Sequence, residues 1–168
     1  KNAEIYFKKC LISFEKKAAT LIESKELHLE KLHFHASRKE LETLQVVRKC
    51  TGEANFGIYK CNYDSRSDEK VSQYLDEALN LYPHYSEANY EKGLLYLASD
   101  DYENANNLFV KSVENDWNHW FSHLELGKLA KDSNECQKAE MHFKIVLDLD
   151  PKNKTASKLL KELRKTPA

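Results

Sequence analysis

Apolar positions recur every three or four residues through most of the chain, which is the spacing of helices with one buried face. From 2 to 35 there is no Gly or Pro, and Ile5, Leu11, Phe14, Ala18, Leu21 and Ile22, then Leu29, Leu32 and Phe34, predict one long helix or two joined near Ser24. Ser37 followed by Glu40 is a capping-box signal for a helix through Cys50, with Gly52 suited to the residue after its end. Glu53 to Tyr63 and Asp68 to Tyr82 read as a helix pair around the polar turn 64–67. Ser86 is placed to cap Glu87 to Ser99, and the turn Asp100 and Asp101 leads into Tyr102 to Asn115. Trp120 to Lys131 and Glu135 to Leu149 form another pair. Lys154 to Lys165 then carries Leu159, Leu160 and Leu163 on one face and lysines around the rest.

The pattern also repeats at a longer period. Counting 34 residues forward from Gly93, Tyr102, Ala105, Phe109 and Trp117 reaches Gly127, Cys136, Ala139, Phe143 and Pro151. Counting 34 backward from Ser112 and Trp117 reaches Ala78 and Pro83. A fixed period of this length marks a stack of helix-turn-helix units, each able to bury its apolar face only against its neighbours. Gly inside a helix costs about 1 kcal/mol relative to Ala, so Gly93 and Gly127 imply close approach of a second helix, where Ala105 and Ala139 supply small matching surfaces. Tyr96, Tyr102, Phe109 and Phe143 fall on faces expected to be buried, and Pro83 and Pro151 mark helix ends.

These residues resemble the tetratricopeptide repeat family, whose pattern places Gly, Tyr, Ala, Phe and Pro at such offsets. Ser86 to His119 is the best match, through Gly93, Tyr96, Tyr102, Ala105, Phe109 and Ser112, with Trp117 in place of the closing Pro. Trp120 to Asn153 keeps Leu126, Gly127, Ala139, Phe143 and Pro151, with Ala130 and Cys136 where the family prefers tyrosine. Gly52 to Tyr85 retains Val71, Leu75, Ala78 and Pro83, with Tyr59 at the Gly position. The resemblance implies an all-α fold in which antiparallel helix pairs stack as a right-handed superhelix closed by a C-terminal capping helix. The corresponding divisions are N-terminal helices at 1–52, a degenerate repeat at 53–85, repeats at 86–119 and 120–153, and a capping helix and tail at 154–168.

Composition is that of an ordinary helical domain, with 41% hydrophobic and 32% charged residues. No apolar run approaches the roughly 20 residues needed to span a bilayer, so no membrane insertion is expected. The charged first residues are not those of a secretory signal, and a start at Lys1 suggests a section of a longer protein. Cys10, Cys50, Cys61 and Cys136 lack the short spacings of a metal site and read as reduced thiols in a cytoplasmic or nuclear protein. His28, His33 and His35 cluster, and His119 and His123 lie four apart, but neither group comes with a convincing ligand set, so neither a metal nor a cofactor is expected.

Charge is distributed unevenly around the net value of -1. Residues 1 to 52 carry 11 basic and 7 acidic side chains, 53 to 151 carry 9 and 19, and 152 to 168 carry 6 and 1. The acidic middle disfavours nucleic acid there and favours a basic protein segment as partner, although a merely solvated face accounts for the charges as well.

No phosphate loop, nucleophile elbow, zinc-binding helix or kinase signature occurs, and no enzymatic activity is expected. In the resembled family the first helix of each repeat lines a concave groove. The matching positions are Phe56, Lys60 and Tyr63, then Tyr90, Leu94 and Leu97, then Phe121, Leu124 and Lys128. Such a surface suits an amphipathic helix or an extended apolar peptide. Tyr90 and Phe121 serve equally well as packing residues of the stack, and Trp117 and Trp120 are candidates for lateral contact with another subunit.

The expected function is a non-catalytic protein-protein interaction scaffold docking a partner helix or peptide within a larger multisubunit assembly. Two alternatives stay open. One is a chaperone-tail adaptor, for which the family uses Lys and Asn or Arg in the groove where this chain has Leu94. The other is an RNA-binding helical repeat protein acting through Lys152, Lys154, Lys158, Lys161, Arg164 and Lys165.

Overall fold

The computed structural model describes residues 4, 5, 8, 9, 12, 13, 16, 38–62 and 69–164, and the described residues contain helices and no strand. Seven helices have defined bounds: α1 Arg38–Cys61, α2 Glu69–Leu81, α3 Ser86–Ala98, α4 Tyr102–Asn115, α5 Trp120–Asp132, α6 Cys136–Leu149 and α7 Lys154–Leu163. The chain forms two compact units, 1–83 and 84–168. The expectations for Cys10, Ser24, His28, His33, His35, Tyr63, the turn at 64–67 and Lys165 lie outside the described residues.

In the first unit α1 packs on α2. The sequence suggested that a helix would stop before Gly52, yet α1 runs through it without a break to Cys61. Gly52 is buried at a close approach instead: a Cβ there would meet the Ala78 carbonyl oxygen and the Tyr82 Cβ at 3.0 Å each. Its small size serves helix packing, and this is the correction to the capping reading. Ile58, Tyr59, Leu75 and Ala78 are fully buried, so the large Tyr59 ring fills the place that glycine takes in the later repeats.

In the second unit α3 pairs with α4 and α5 with α6, while α4 also packs on α5 and α6 on α7. The 34-residue period is visible as repeated atomic contacts. A Cβ on Gly93 would come within 2.6 Å of the Phe109 ring, and one on Gly127 within 2.5 Å of the Phe143 ring. Both rings are fully buried. Asp100 and Asn134, one period apart, adopt left-handed φ values of 58° and 61° in the turns inside the two pairs. Asp and Asn tolerate that conformation better than other non-glycine residues.

The turns between pairs repeat too. The Asp116 carboxylate accepts from the Asn118 N–H at 3.0 Å, and Asp150 does the same for Lys152 at 3.2 Å. This local bond holds the same turn whether Trp117 or Pro151 follows the aspartate. The α7 helix is capped by Asn153, whose side chain accepts from the Ala156 N–H at 3.0 Å. It closes the unit by burying Ala156 and Leu160 in a core with Phe143 and Val146.

Candidate docking surface

Of the groove positions expected in the second unit, α3 contributes Tyr90, Leu94 and Leu97, and α5 contributes Phe121, Leu124 and Lys128. The structure brings Tyr90 and Phe121 together, with ring centroids 5.8 Å apart, and sets His119 against both at 5.1 and 5.9 Å. Trp120 stacks on Phe121 at 3.6 Å. Phe121 nevertheless keeps 45% of its surface open, so the cluster presents a ring face to solvent. Tyr90 also leans on the buried Phe109 at 5.8 Å, and Leu94 and Leu97 pack partly buried against the same core.

Leu124 departs from expectation. It is 8% exposed and belongs to the core with Ala130, Ala139 and Phe143, so its side chain is taken up by the α5–α6 pair. Lys128 is bonded to Glu125 at 2.7 Å and is not a bare cation. In the first unit, Phe56 is likewise 8% exposed and stacks on Tyr59 at 6.1 Å, while Lys60 is exposed. Trp117 is 60% exposed, and Trp120 is half-buried against the α5–α6–α7 core.

A polar network lies behind the aromatic surface. Ser86, expected as a helix cap, is buried and bonds across to α4: its hydroxyl donates to the Ser112 carbonyl at 2.7 Å, and the Ser112 hydroxyl donates to the Ser86 carbonyl at 2.9 Å. The Ser122 hydroxyl of α5 donates to Ser112 Oγ at 2.8 Å, and His119 Nδ1 lies 2.8 Å from Ser122 Oγ. Since both serine protons are committed, the bond to His119 requires a proton on Nδ1, which fixes the ring's tautomer. Burial lowers the His119 pKa, against the opposing pull of Glu87, Asp116 and Glu91. Glu87 and Asp116 give the rim of the ring cluster a negative character, whereas Glu91 is buried.

A second buried pair is invisible in the linear spacing. His123 and His142 face each other with Nδ1 atoms 3.1 Å apart, and His123 Nε2 donates to the Trp117 carbonyl at 3.1 Å. His123 therefore has a bare Nδ1, which accepts from His142 Nδ1–H. Burial, reinforced by His123 and then Lys138, pushes His142 down to about 4, and burial also lowers His123. The period could have signalled part of this arrangement, because Asn55, Asn89 and His123 occupy one register and all three are buried polar side chains. Asn89 meets the requirement by donating to the Tyr85 carbonyl at 2.8 Å.

Among the described residues no group of three His, Cys, Asp or Glu is placed to hold a metal ion, and no helix is long and apolar enough to cross a membrane.

No protein-family model and no curated protein sequence matches the chain. Solved structures do. The tetratricopeptide repeat domain of OM64 from Arabidopsis superposes with a TM-score of 0.63 at 21% identity, over 71% of this chain and 99% of that one. The second such domain of human RPAP3, solved in complex with the HSP70 peptide SGPTIEEVD, gives 0.52 at 19% identity over 74% and 98%. Acl4, an assembly chaperone of RpL4, gives 0.62 at 14% identity, covering 96% of this chain and 60% of that one. With the repeated Gly–Phe contacts and turns already described, these likenesses show that the chain has the tetratricopeptide repeat fold.

Proposed function

We propose that the protein is a non-catalytic interaction module that docks an apolar peptide or helix on the α3–α5 surface, as one section of a multiprotein assembly. The half-exposed Phe121 ring, held between Trp120 and Tyr90, carries this reading. Rigid aromatic rings supply contact area at low entropic cost and commonly dominate peptide affinity. The neighbouring Glu87 and Asp116 favour a basic residue beside the apolar anchors. Leu94 and Leu97 extend the apolar strip along α3.

A chaperone-tail adaptor is the second reading, supported by the two neighbours solved with peptides ending in EEVD, the first domain of Spaghetti (RPAP3) with SRMEEVD and the human domain above. Clamping a terminal carboxylate requires cationic or amide donors in the groove. At the corresponding places of the second unit stand Tyr90 and Leu94, the buried Leu124, and Lys128 already bonded to Glu125, while the first unit offers Lys60. The apolar reading is therefore preferred.

Affinity capture from cell extract with the wild-type chain beside Tyr90→Ala/Phe121→Ala tests it, with helicity and melting checked for both. Partners lost from the variant support docking at the rings. Partners retained in full move the interface to Trp117 and the outer turns. In parallel, titration with an EEVD peptide and its C-terminally amidated form decides between the readings: tight binding abolished by amidation establishes the tail adaptor.

A further inference from the structure

The second unit carries another surface, chemically opposite to the aromatic one. Beside α7 lies a cleft of about 560 Å³ whose lining includes Lys152, Lys154, Lys158, Lys161, Ser157 and Glu162. Lys154, Lys158 and Lys161 are spaced four and three apart, so they share one face and span roughly 10 Å along the helix axis. Among the described residues, Lys152, Lys154 and Lys161 have no carboxylate partner. The one acidic residue of the lining, Glu162, is bonded by Lys131 at 3.0 Å and approached by Lys158 at 3.9 Å. The cleft therefore holds four cations against one carboxylate that already has counter-charge.

We propose that this cleft binds a small, multiply phosphorylated anion. Four exposed lysines along one face raise the local positive potential, and the field of the α7 amino terminus adds to that of Lys152 and Lys154. The cations are lysines, whose ammonium groups act as point charges that pair with phosphate oxygens from several directions. Ser157 adds a neutral donor. Single-stranded nucleic acid would call for a longer track and stacking rings, and no aromatic residue lines the cleft. The opposite apolar face of α7, through Ala156 and Leu160, is consumed in the core, so the lysine face is the one left for a ligand.

The test is calorimetric titration with inorganic tripolyphosphate at low and at physiological salt. It compares the wild-type chain, K154Q/K158Q/K161Q and a control of equal charge change, K111Q/K138Q/K144Q, all checked for unchanged melting. Saturable one-to-one binding that survives in the control and weakens about tenfold or more in the α7 variant is expected. Equal weakening in both variants would show diffuse attraction to net charge and overturn the proposal, as would no binding to the wild type. A single-stranded oligonucleotide that binds far more tightly than tripolyphosphate, with affinity rising with its length, would also overturn it and assign the lysines to nucleic acid.

Discussion

Two joints of the second unit, α4 on α5 and α6 on α7, occupy corresponding places one period apart and are built from opposite chemistry. At the first, Ser112 and Ser122 are fully buried and hydrogen-bonded. At the second, the same register holds Val146 and Ala156, also fully buried, with no polar atom in either side chain. Ser86 corresponds to Trp120, and His119 to the capping Asn153. The comparison teaches that the period preserves shape while leaving the type of bond across the joint free to change.

The shared framework should give the largest effects. Phe109→Ala and Phe143→Ala each remove a fully buried ring packed on a helical glycine, and each is expected to cost about 3–5 kcal/mol in urea unfolding. Similar costs are the decisive result, and values differing by more than about 2 kcal/mol would break the equivalence of the pairs.

The serine joint should give intermediate effects. Ser112→Ala alone leaves the Ser122 hydroxyl without its acceptor and is expected to cost about 1–3 kcal/mol. Ser112→Val with Ser122→Ala copies the second joint and should cost less than the sum of the single changes, because no stranded hydroxyl remains on α5. A thermodynamic cycle on the wild type, Ser112→Val, Ser122→Ala and the double variant measures that coupling, and strict additivity would sink the idea of a connected network.

Acid sensitivity separates the two pairs as well. The folded pKa values of His142 and His123 lie below the ordinary histidine value, so the folded state favours their neutral forms. Stability from this source is complete above about pH 6.5 and is lost as pH falls toward about 4. His123→Asn with His142→Leu installs the residues found one period earlier, Asn89 and Leu108. Melting temperatures measured across this window should fall less steeply for that variant than for the wild type.

The smallest effect is expected at the outer turn. Asp116 already has φ -141° and ψ 98°, close to the -131° and 86° of Asp150 before Pro151. Extended backbone is what a following proline requires. Trp117→Pro should therefore change stability by less than about 1 kcal/mol, with the lost edge contact to His123 opposing the entropy gain. A large loss in chemical denaturation would mean that the turns are equivalent in outline only.

The features legible in the sequence are those that sterics impose repeatedly. Gly93 and Gly127, Ala105 and Ala139, and Phe109 and Phe143 announce the close helix pairs through their spacing alone. Gly52 was misread because a glycine after a polar stretch gives the same local signal whether it ends a helix or admits a neighbouring one, and the neighbour, Ala78 to Tyr82, lies far along the chain. Ser86 misled for the same reason: a serine at a helix start looks like a cap until Ser112 is seen to engage it. His123 and His142 are 19 residues apart on facing helices, a separation with no local signature. At the candidate docking surface, the family resemblance named Tyr90 and Phe121, which the fold brings together, but could not show that Leu124 turns into the core.

The serine joint has a mechanical consequence. Its protons run in one direction, from His119 through Ser122 and Ser112 to the Ser86 carbonyl, with heavy-atom separations of 2.8, 2.8 and 2.9 Å. Advancing α5 along α4 by the rise of a single residue, about 1.5 Å, would break the chain, since such bonds weaken steeply with length and angle. Methyl groups at Val146 and Ala156 impose no comparable alignment on α7. The first joint resists sliding through buried directional bonds, whereas across the second the polar contact is the exposed Arg164–Glu140 pair at 3.4 Å.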